Sequence, residues 1–368
     1  MSTARLEQHA GRGVSLAIVS ALSFGAAGPF SKAVLTSGEL TPLRLAQFRI
    51  TMAAVVLLGV VAVRHLSGTR PTHRWTPADA WLVIAYGSLG FVAVQICYFI
   101  AIDRLPVGVA LLFEYMSVVL VAVYAAVLQH RPQPRAVWVG VTLAVAGLVV
   151  LTEPWSGFRL NVWGSVAGAG GALGCAAYFL IGERGTARLP VLELTAYGAG
   201  VGAVVVAFVL PVWTFPFSAL GHSARFAGHA TPVWILLSVV VLVGTVLAYL
   251  LGMSALAYLP SPSATVIATL EILVGAVVAW GVLGEHMTAA EIAGGVIILT
   301  GVVVVAERAR LRAELPELDY VQTLSLQNPS SAAGQIRTPS RIASSSASAA
   351  KPRSWSGSAR ARISSPRT

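Results

Sequence analysis

Few ionisable side chains lie well inside the long apolar runs of the sequence, where a charge is costly and therefore needs a physical reason. Those singled out here are Arg49, Glu114 and Glu271, together with Lys32 near the end of its run. Arg49 and Glu114 lie at similar distances from the ends of their runs, so we expect them at similar depth in a bilayer. Two hypotheses follow: the two residues form an ion pair that only holds helices together, or they contact a bound substrate.

Glu271 differs from Glu114 because the segment of the second half that corresponds to Arg49, residues 196–200, is neutral. A carboxyl group near the middle of a membrane, without a counter-charge, can bind and release a proton as it becomes accessible from alternate sides. Such a group could couple a proton gradient to transport, or it could contact the substrate. The alternative is a carboxyl group that only packs, protonated or hydrogen-bonded to a partner such as a tyrosine hydroxyl.

Several polar and aromatic side chains inside the apolar runs could line a pocket with their polar tips. They are Gln95, Tyr98, Tyr178, Tyr249 and Trp280. Each could equally be a core residue or a residue at the membrane interface, because aromatic side chains are enriched in both places. Together with Glu271, Glu114 and Arg49, they form the predicted set of substrate and coupling residues.

The sequence lacks the patterns that are typical of ATP hydrolysis, metal binding and nucleic-acid binding. It has no Gly-x-x-x-x-Gly-Lys-Ser/Thr loop, and its seven histidines fall in predicted connections or near the N-terminus. Cys97 and Cys175 lie inside apolar runs and give neither a disulfide framework nor a metal cluster. From residue 321 onward the basic tail contains a single aromatic residue, Trp355. We therefore predict no cofactor, no metal, no nucleic-acid partner and no enzyme activity.

The elements that must position these residues are membrane-spanning helices. Of the 368 residues, 56% are apolar and only 11% are charged, and the mean hydropathy is +0.76, which a soluble surface does not allow. The apolar runs are continuous rather than alternating, so they indicate helices and not a barrel. The predicted spans one to ten cover residues 15–36, 42–63, 81–102, 107–128, 135–152, 163–182, 192–212, 232–252, 262–283 and 289–306. Short connections such as 129–132 and 182–185 separate them.

The distribution of basic residues predicts the orientation of the spans. With the N-terminus inside, the inner segments hold twelve basic residues and the outer ends hold five, leaving the distal tail aside. The inner set is Arg5, Arg12, Arg64, Arg70, Arg74, Arg131, Arg135, Arg184, Arg188, Arg308, Arg310 and Arg312, and the outer set is Lys32, Arg44, Arg104, Arg159 and Arg225. The positive-inside rule then places both termini in the cytoplasm. A cleaved signal sequence is the alternative for span one.

The two halves of the chain contain a weak internal repeat. Residues 127–130 align with 282–285, the glycines at 140 and 147 align with those at 294 and 301, and Phe113-Glu114 matches Leu270-Glu271. If five spans repeat once, the second unit crosses the membrane in the opposite sense, because five is odd. An inverted-topology repeat is typical of secondary transporters with a substrate site near the midplane.

The chain resembles the EamA-type family of the drug/metabolite transporter superfamily. The residues that carry the resemblance are 22–25, 42–49, 263–271, 284–285 and 294–301. The family usually has Glu-Pro where this chain has Glu271-Ile272, and Gly-Glu where it has Gln129-His130, so the proline that would break span nine is missing. The resemblance implies ten helices in two five-helix repeats and transport of a small metabolite or drug, often efflux, in the cytoplasmic membrane.

These observations predict a domain organisation and a function. We expect a cytoplasmic N-terminus at 1–14, repeats at 15–152 and 163–306, and a cytoplasmic tail at 307–368 that is helical to about 320 and then disordered. The basic tail either contacts anionic lipid or has no role. The chain is expected to be a secondary transporter that exports a small amino-acid-like or drug-like metabolite, with protons as the candidate coupling ion. Import, or a non-transporting receptor or partner subunit, remain alternatives, and the oligomeric state is open.

Overall fold

The computed structural model describes residues 3–68, 73, 75–102, 104–105, 107–153, 161–284 and 288–327. Within these residues, ten helices are long and apolar enough to cross a membrane, which confirms the predicted ten-span architecture. Spans one to ten are Gly11–Thr36, Pro42–Leu66, Pro77–Ile102, Val109–Leu128, Arg135–Thr152, Val162–Thr186, Val191–Val209, Val233–Leu256, Ser261–Val282 and Ala289–Ala309. We call the end of the bundle where span one begins the inner end, following the predicted orientation, and the opposite end the outer end.

The spans are built from fourteen α-helices and three π-helical segments. The α-helices are α1 Thr3–Thr36, α2 Pro42–Leu66, α3 Pro77–Ala85, α4 Val94–Ile102, α5 Val107–Tyr115, α6 Ser117–Val123, α7 Arg135–Thr152, α8 Val162–Thr186, α9 Val191–Val209, α10 Val233–Val241, α11 Ala248–Leu256, α12 Ser261–Ala268, α13 Leu270–Leu283 and α14 Ala289–Gln327. The π-helical segments are Tyr86–Ala93, Tyr124–Leu128 and Leu242–Leu247, within spans three, four and eight. The compact body of the protein comprises Met1–Leu318.

Local signals in the sequence set several helix ends. Thr41 and Thr76 cap α2 and α3 by accepting a backbone N–H, and a proline occupies the first helical position after each of them. Asp79 completes a capping box with Thr76, and Asn161 caps α8. Gly284, with φ +69°, ends α13 in the left-handed conformation that glycine adopts without strain.

Spans four and nine are each interrupted in the middle. In span four α5 gives way to α6 at Met116, and in span nine α12 gives way to α13 at Thr269. The backbone bonds at the second break are short-range: Thr269 N–H donates to the carbonyl of Val266, and Ile272 N–H donates to that of Thr269. Span nine is thus broken although the chain has isoleucine where the family has proline.

Spans five and ten pack against each other through their glycines. A Cβ atom added at Gly147 would lie 2.6 Å from the carbonyl oxygen of Gly294, and one added at Gly140 would lie 3.2 Å from that of Gly301. The later glycine of span five lies against the earlier glycine of span ten, and the reverse holds for the other pair. The two helices therefore run antiparallel, as an inverted repeat requires. The four glycines that suggested the repeat therefore lie in one of the contacts between its two halves.

The connection between spans seven and eight is the largest departure from an all-helical chain. It contains 3₁₀ turns at Val212–Thr214 and Phe217–Gly221, followed by an antiparallel hairpin of β1, Ser223–Phe226, and β2, His229–Pro232. The ring of Phe226 lies 4.4 Å from that of Phe30 on span one. This hairpin was not predicted from the sequence, because strands of four residues give too short an alternating pattern to recognise beside the long apolar spans.

Three predicted boundaries shift in the structure. Residues 182–185, predicted as a connection, are the last helical turns of span six, because Gly182 and Gly185 pack closely against Met253 and Leu194. Helix α1 already begins at Thr3, within the predicted N-terminal segment. Helix α14 continues to Gln327, seven residues past the expected end of helix at 320. The predicted disordered tail beyond that point lies outside the described residues.

Candidate functional site

A cavity of about 630 Å³ lies inside the helix bundle. Its wall comes from both repeats and is lined by residues of spans one, two, three, four, six, eight and nine. Seven of the eight residues predicted from the sequence are part of this wall: Arg49, Gln95, Tyr98, Glu114, Tyr178, Tyr249 and Glu271. Side chains that are far apart in the sequence thus meet at one place, which supports their selection as a set.

Trp280 is the exception, because it is not part of this wall. The residue is 56% exposed. It follows Glu271 by nine residues on the same helix, which is two and a half turns and therefore places the two side chains on opposite faces. Helical periodicity in the sequence predicts this separation of Trp280 from Glu271. The outward position is typical of an aromatic residue that contacts lipid.

Glu271 is hydrogen-bonded to a tyrosine of the other repeat. The hydroxyl of Tyr115 donates to Oε2 of Glu271 over 3.0 Å, and the tyrosine side chain is buried. A tyrosine hydroxyl is the partner expected if Glu271 only packs. The position of Glu271 in the cavity wall is what a role in coupling or substrate contact requires. Tyr115 was not selected from the sequence, although it is adjacent to Glu114 and one residue before the break in span four.

The backbone at Glu271 is held against span one. A Cβ atom added at Gly25 would lie 2.4 Å from the carbonyl oxygen of Glu271 and 2.8 Å from Cβ of Val274. Only glycine allows this approach, which explains the physical role of Gly25 in the segment that carries the family resemblance. Span one therefore packs tightly against the backbone of Glu271 beside the cavity.

Arg49 contacts span eight rather than Glu114. Its Nε donates to Oγ1 of Thr245 over 3.2 Å, and its Nη2 donates to the carbonyl of Gly244 over 3.4 Å. Among the described residues, no ion pair joins Arg49 to Glu114, so the predicted salt bridge is absent. Similar depth was the only argument for that pair, whereas the packing of span two against span eight determines the guanidinium's partners.

The two cavity carboxyl groups are not placed symmetrically. Glu114 precedes the break in span four by two residues, whereas Glu271 follows the break in span nine by two residues. The sequence match of Phe113-Glu114 with Leu270-Glu271 therefore does not superimpose on the matching helix breaks. The repeat provides a related backbone in each half, and the charged groups on it differ.

Aromatic rings form one side of the cavity. Tyr249 stacks on Phe91 with ring centroids 4.2 Å apart, and Phe24 meets Tyr249 edge-on at 5.1 Å. Tyr178 stacks on the fully buried Tyr86 at 5.7 Å and meets Tyr249 edge-on at 5.5 Å. Offset and edge-on aromatic contacts of this kind hold rings in fixed positions. This wall presents a rigid, largely apolar surface with hydroxyl tips.

The cavity is open at the outer end of the bundle and closed at the inner end. At the outer end its wall includes Lys32 and Thr36 of span one, which are exposed. At the inner end the last lining residues are Ala17, Ala255 and Ala264, which are all buried. Within the described part of the chain, no three His, Cys, Asp or Glu side chains come together as they would at a metal site.

Comparison with known proteins agrees with this architecture. The model of the EamA-like transporter family matches residues 11–153 and 162–306, one match for each repeat. A solved structure titled "Crystal structure of protein" has a TM-score of 0.63 at 18% identity, and the match covers 80% of this chain and 98% of that one. At this identity the likeness shows the fold alone. No curated protein sequence matches the chain significantly. The two family matches span most of the chain, which therefore belongs to the EamA-like transporter family of the drug/metabolite transporter superfamily.

Proposed function

We propose that this transporter is a secondary carrier that exports a small polar or amphipathic metabolite through the described cavity. The observation that carries the proposal is a cavity with charged groups, built from both inverted repeats, whose wall is exposed at the outer end of the bundle and buried at the inner end. A site between two inverted repeats can face either side of the membrane when one half moves against the other. Export, the cytoplasmic membrane and cytoplasmic termini rest on the resemblance and on the distribution of basic residues.

The size and chemistry of the cavity indicate the class of cargo. A volume of about 630 Å³ lies within the range of small-molecule sites. Arg49 uses two N–H groups on neutral acceptors, and a guanidinium has five such donors, so donors remain for a carboxylate or another polar group of the cargo. The rings of Tyr178 and Tyr249 offer an apolar surface beside it. A molecule with one charged end and one apolar part matches this arrangement.

Glu271 is the proposed coupling residue. It lies in the cavity wall, it follows a helix break, and its partner Tyr115 belongs to the opposite repeat. A change in the relative position of the repeats would therefore change the hydrogen bonding of this carboxyl group. Proton binding and release at Glu271 could in this way be linked to which side the cavity faces. Glu114 shares the cavity and provides a second carboxyl group for cargo contact.

Metabolite profiling of a host that overproduces the chain tests the transport function. We expect at least one small metabolite to accumulate outside cells with the wild-type protein, and not with Glu271→Gln. Glu291→Gln is the matched control, because Glu291 lies at the start of span ten, where it accepts the backbone N–H of Thr288, outside the cavity wall. Depletion of a compound from the medium would instead indicate import.

Reconstituted vesicles then separate coupling from binding. With the compound found by profiling, flux into vesicles is measured with and without an imposed pH gradient. We expect the gradient to drive flux of the wild-type and Glu291→Gln proteins but not of Glu271→Gln. If flux through Glu271→Gln still responds to the gradient, the coupling role of this residue is wrong. If purified wild-type protein moves none of the compounds that accumulate, the carrier function itself is wrong.

A further inference from the structure

A second polar cluster joins three parts of the chain at the inner end, away from the cavity wall. At its centre is Glu183 in the last turns of span six. Its Oε1 accepts from Nη1 of Arg131 over 3.0 Å, and its Oε2 accepts from the backbone N–H of Ser261 over 3.1 Å and from the Ser261 hydroxyl over 2.5 Å. One carboxylate therefore connects span six, the connection after span four and the start of span nine.

Glu183 replaces a missing helix cap. Helix α12 begins at Ser261, and the preceding residue, Pro260, offers no side-chain acceptor to the first turn. The free N–H groups of a helix start need acceptors, and a negative charge is favourable there. The short bond from the Ser261 hydroxyl is typical of a charge-assisted contact, and Ser261 is completely buried. The start of the broken span nine is thus held by a residue of span six.

This cluster lies just beyond the closed end of the cavity. Ala264, one of the innermost lining residues, follows Ser261 by three residues, which is about one helical turn or roughly 5 Å. Phe179, another lining residue, precedes Glu183 by four residues on span six. The carboxylate therefore bridges the two helices at the level where the cavity ends.

Apolar contacts close the same level. A Cβ atom added at Gly182 would lie 2.9 Å from side-chain atoms of Leu256 and Met253, and one added at Gly13 would lie 2.8 Å from Cγ of Leu259. Leu256, Leu259 and Met253 are buried. At the inner end span six thus packs tightly against the end of span eight, and span one packs tightly against the connection that follows span eight.

The contact between Glu183 and Arg131 also crosses the repeat boundary. Arg131 belongs to the first repeat and Glu183 to the second, as the family matches divide the chain. The guanidinium is 64% exposed and the carboxylate 21% exposed, and an ion pair with one partner in water is easily broken and re-formed. A bond of this kind between two halves that move relative to each other can be made in one state and absent in the other.

We propose that Glu183 is the residue that holds the inner end of the cavity closed, and that loss of its bonds to Ser261 and Arg131 opens this end. The proposal rests on the carrier function proposed above and adds a named residue to its transport cycle. It differs from the cavity site because Glu183 contacts no cargo: it stabilises one of the two states. Its removal shifts the population toward the state that is open at the inner end.

The native thiol of Cys175 provides a test that needs no knowledge of the cargo. Cys175 lies in the cavity wall, and the only other cysteine of the chain, Cys97, is replaced in a Cys97→Ser background. A charged, membrane-impermeant methanethiosulfonate is added to oriented membrane vesicles from either side, and the rate of Cys175 modification is measured. We expect the background protein to react from the outer end and to react slowly from the inner end.

Glu183→Ala should raise the rate of modification from the inner end by about tenfold or more, with Glu291→Ala as the matched control that leaves it unchanged. Ser261→Ala removes one of the two bonds to Oε2 without deleting the carboxylate, so a smaller increase in the same direction is expected if Glu183→Ala does not fold. Unchanged inner-end rates in folded Glu183→Ala or Ser261→Ala protein would overturn the proposal. If the proposed transport cavity itself were wrong, Cys175 of the background protein would not react from the outer end. That result is distinct from an unchanged rate at the inner end.

Discussion

Spans five and ten differ from spans four and nine, although each pair occupies corresponding positions in the two repeats. Helix α7 and the membrane part of α14 are uninterrupted, meet glycine to glycine and contribute no described residue to the cavity wall. Spans four and nine are broken at Met116 and Thr269, and they carry Glu114, Tyr115 and Glu271 at the cavity. Neighbouring helices of the same repeat have thus taken opposite roles.

The difference shows what each kind of helix can do in a membrane. Close backbone contact between small residues gives a helix pair that is dense and has no space for a ligand. An interrupted helix leaves backbone groups without regular partners, which is tolerated only where it is buried in protein or lines a polar cavity. The duplicated unit therefore supplies a scaffold with its fifth helix and a site with its fourth. The following predictions test this division, beginning with the scaffold.

The largest effect is expected at the glycine contact of the scaffold. Gly147→Val places Cβ 2.6 Å from the carbonyl oxygen of Gly294 and 2.9 Å from the backbone nitrogen of Ile298, and backbone atoms cannot move aside as a flexible side chain can. We expect the free energy of unfolding to fall by about 3 kcal/mol, the upper end for overpacking. Unfolding of the purified protein by titration with SDS measures this loss.

Gly281→Val is the matched control for the scaffold prediction. Gly281 lies in helix α13, where an added Cβ atom would meet nothing within 4 Å. Its replacement should leave the free energy of unfolding within about 0.5 kcal/mol of the parent value. Equal stability of Gly147→Val and Gly281→Val would show that spans five and ten are not the rigid pair that their packing indicates.

A smaller effect, on transport rather than stability, is expected at the broken helices. Tyr115→Phe deletes the hydroxyl that donates to Glu271 and preserves the ring. One hydrogen bond contributes about 0.5–1.5 kcal/mol, so we expect flux of the exported compound to fall by about three- to tenfold. Flux into vesicles measures it, and Tyr124→Phe, at the inner end of span four and outside the cavity wall, serves as control. Unchanged flux in Tyr115→Phe would show that the hydrogen bond from Tyr115 does not contribute to the proposed role of Glu271 in transport.

The smallest effect concerns the break in span nine. Ile272→Pro restores the residue that the family usually has after the glutamate, and it removes only a 3.3 Å bond to Thr269 in the first turn of α13. We expect a loss of stability of about 1 kcal/mol, against about 3 kcal/mol for Val278→Pro in the interior of the same helix. SDS titration compares the two variants. Equal losses would mean that the break at Thr269 does not relax the helix at position 272.

Much of the membrane architecture could be predicted from the sequence because it depends on local composition. Ten apolar runs of about 20 residues determine ten spans, and paired caps such as Thr41-Pro42 determine where helices begin. The repeated glycines indicated the relation between the halves. The orientation and the disordered tail depend on the same kind of pattern, and both stay predictions.

Contacts between distant residues are what only the tertiary structure decided. The sequence determined that Arg49, Glu114 and Glu271 are membrane-embedded charges, because burial of a charge is costly wherever the helix packs. It did not determine their partners: Thr245 for Arg49, Tyr115 for Glu271, and no ion pair with Glu114 among the described contacts. Glu183 was assigned to a connection, and its role at the inner end became visible only when the fold placed Ser261 beside it. Depth follows from the position along one helix, whereas a partner depends on how two helices are rotated and shifted against each other, which local composition does not specify.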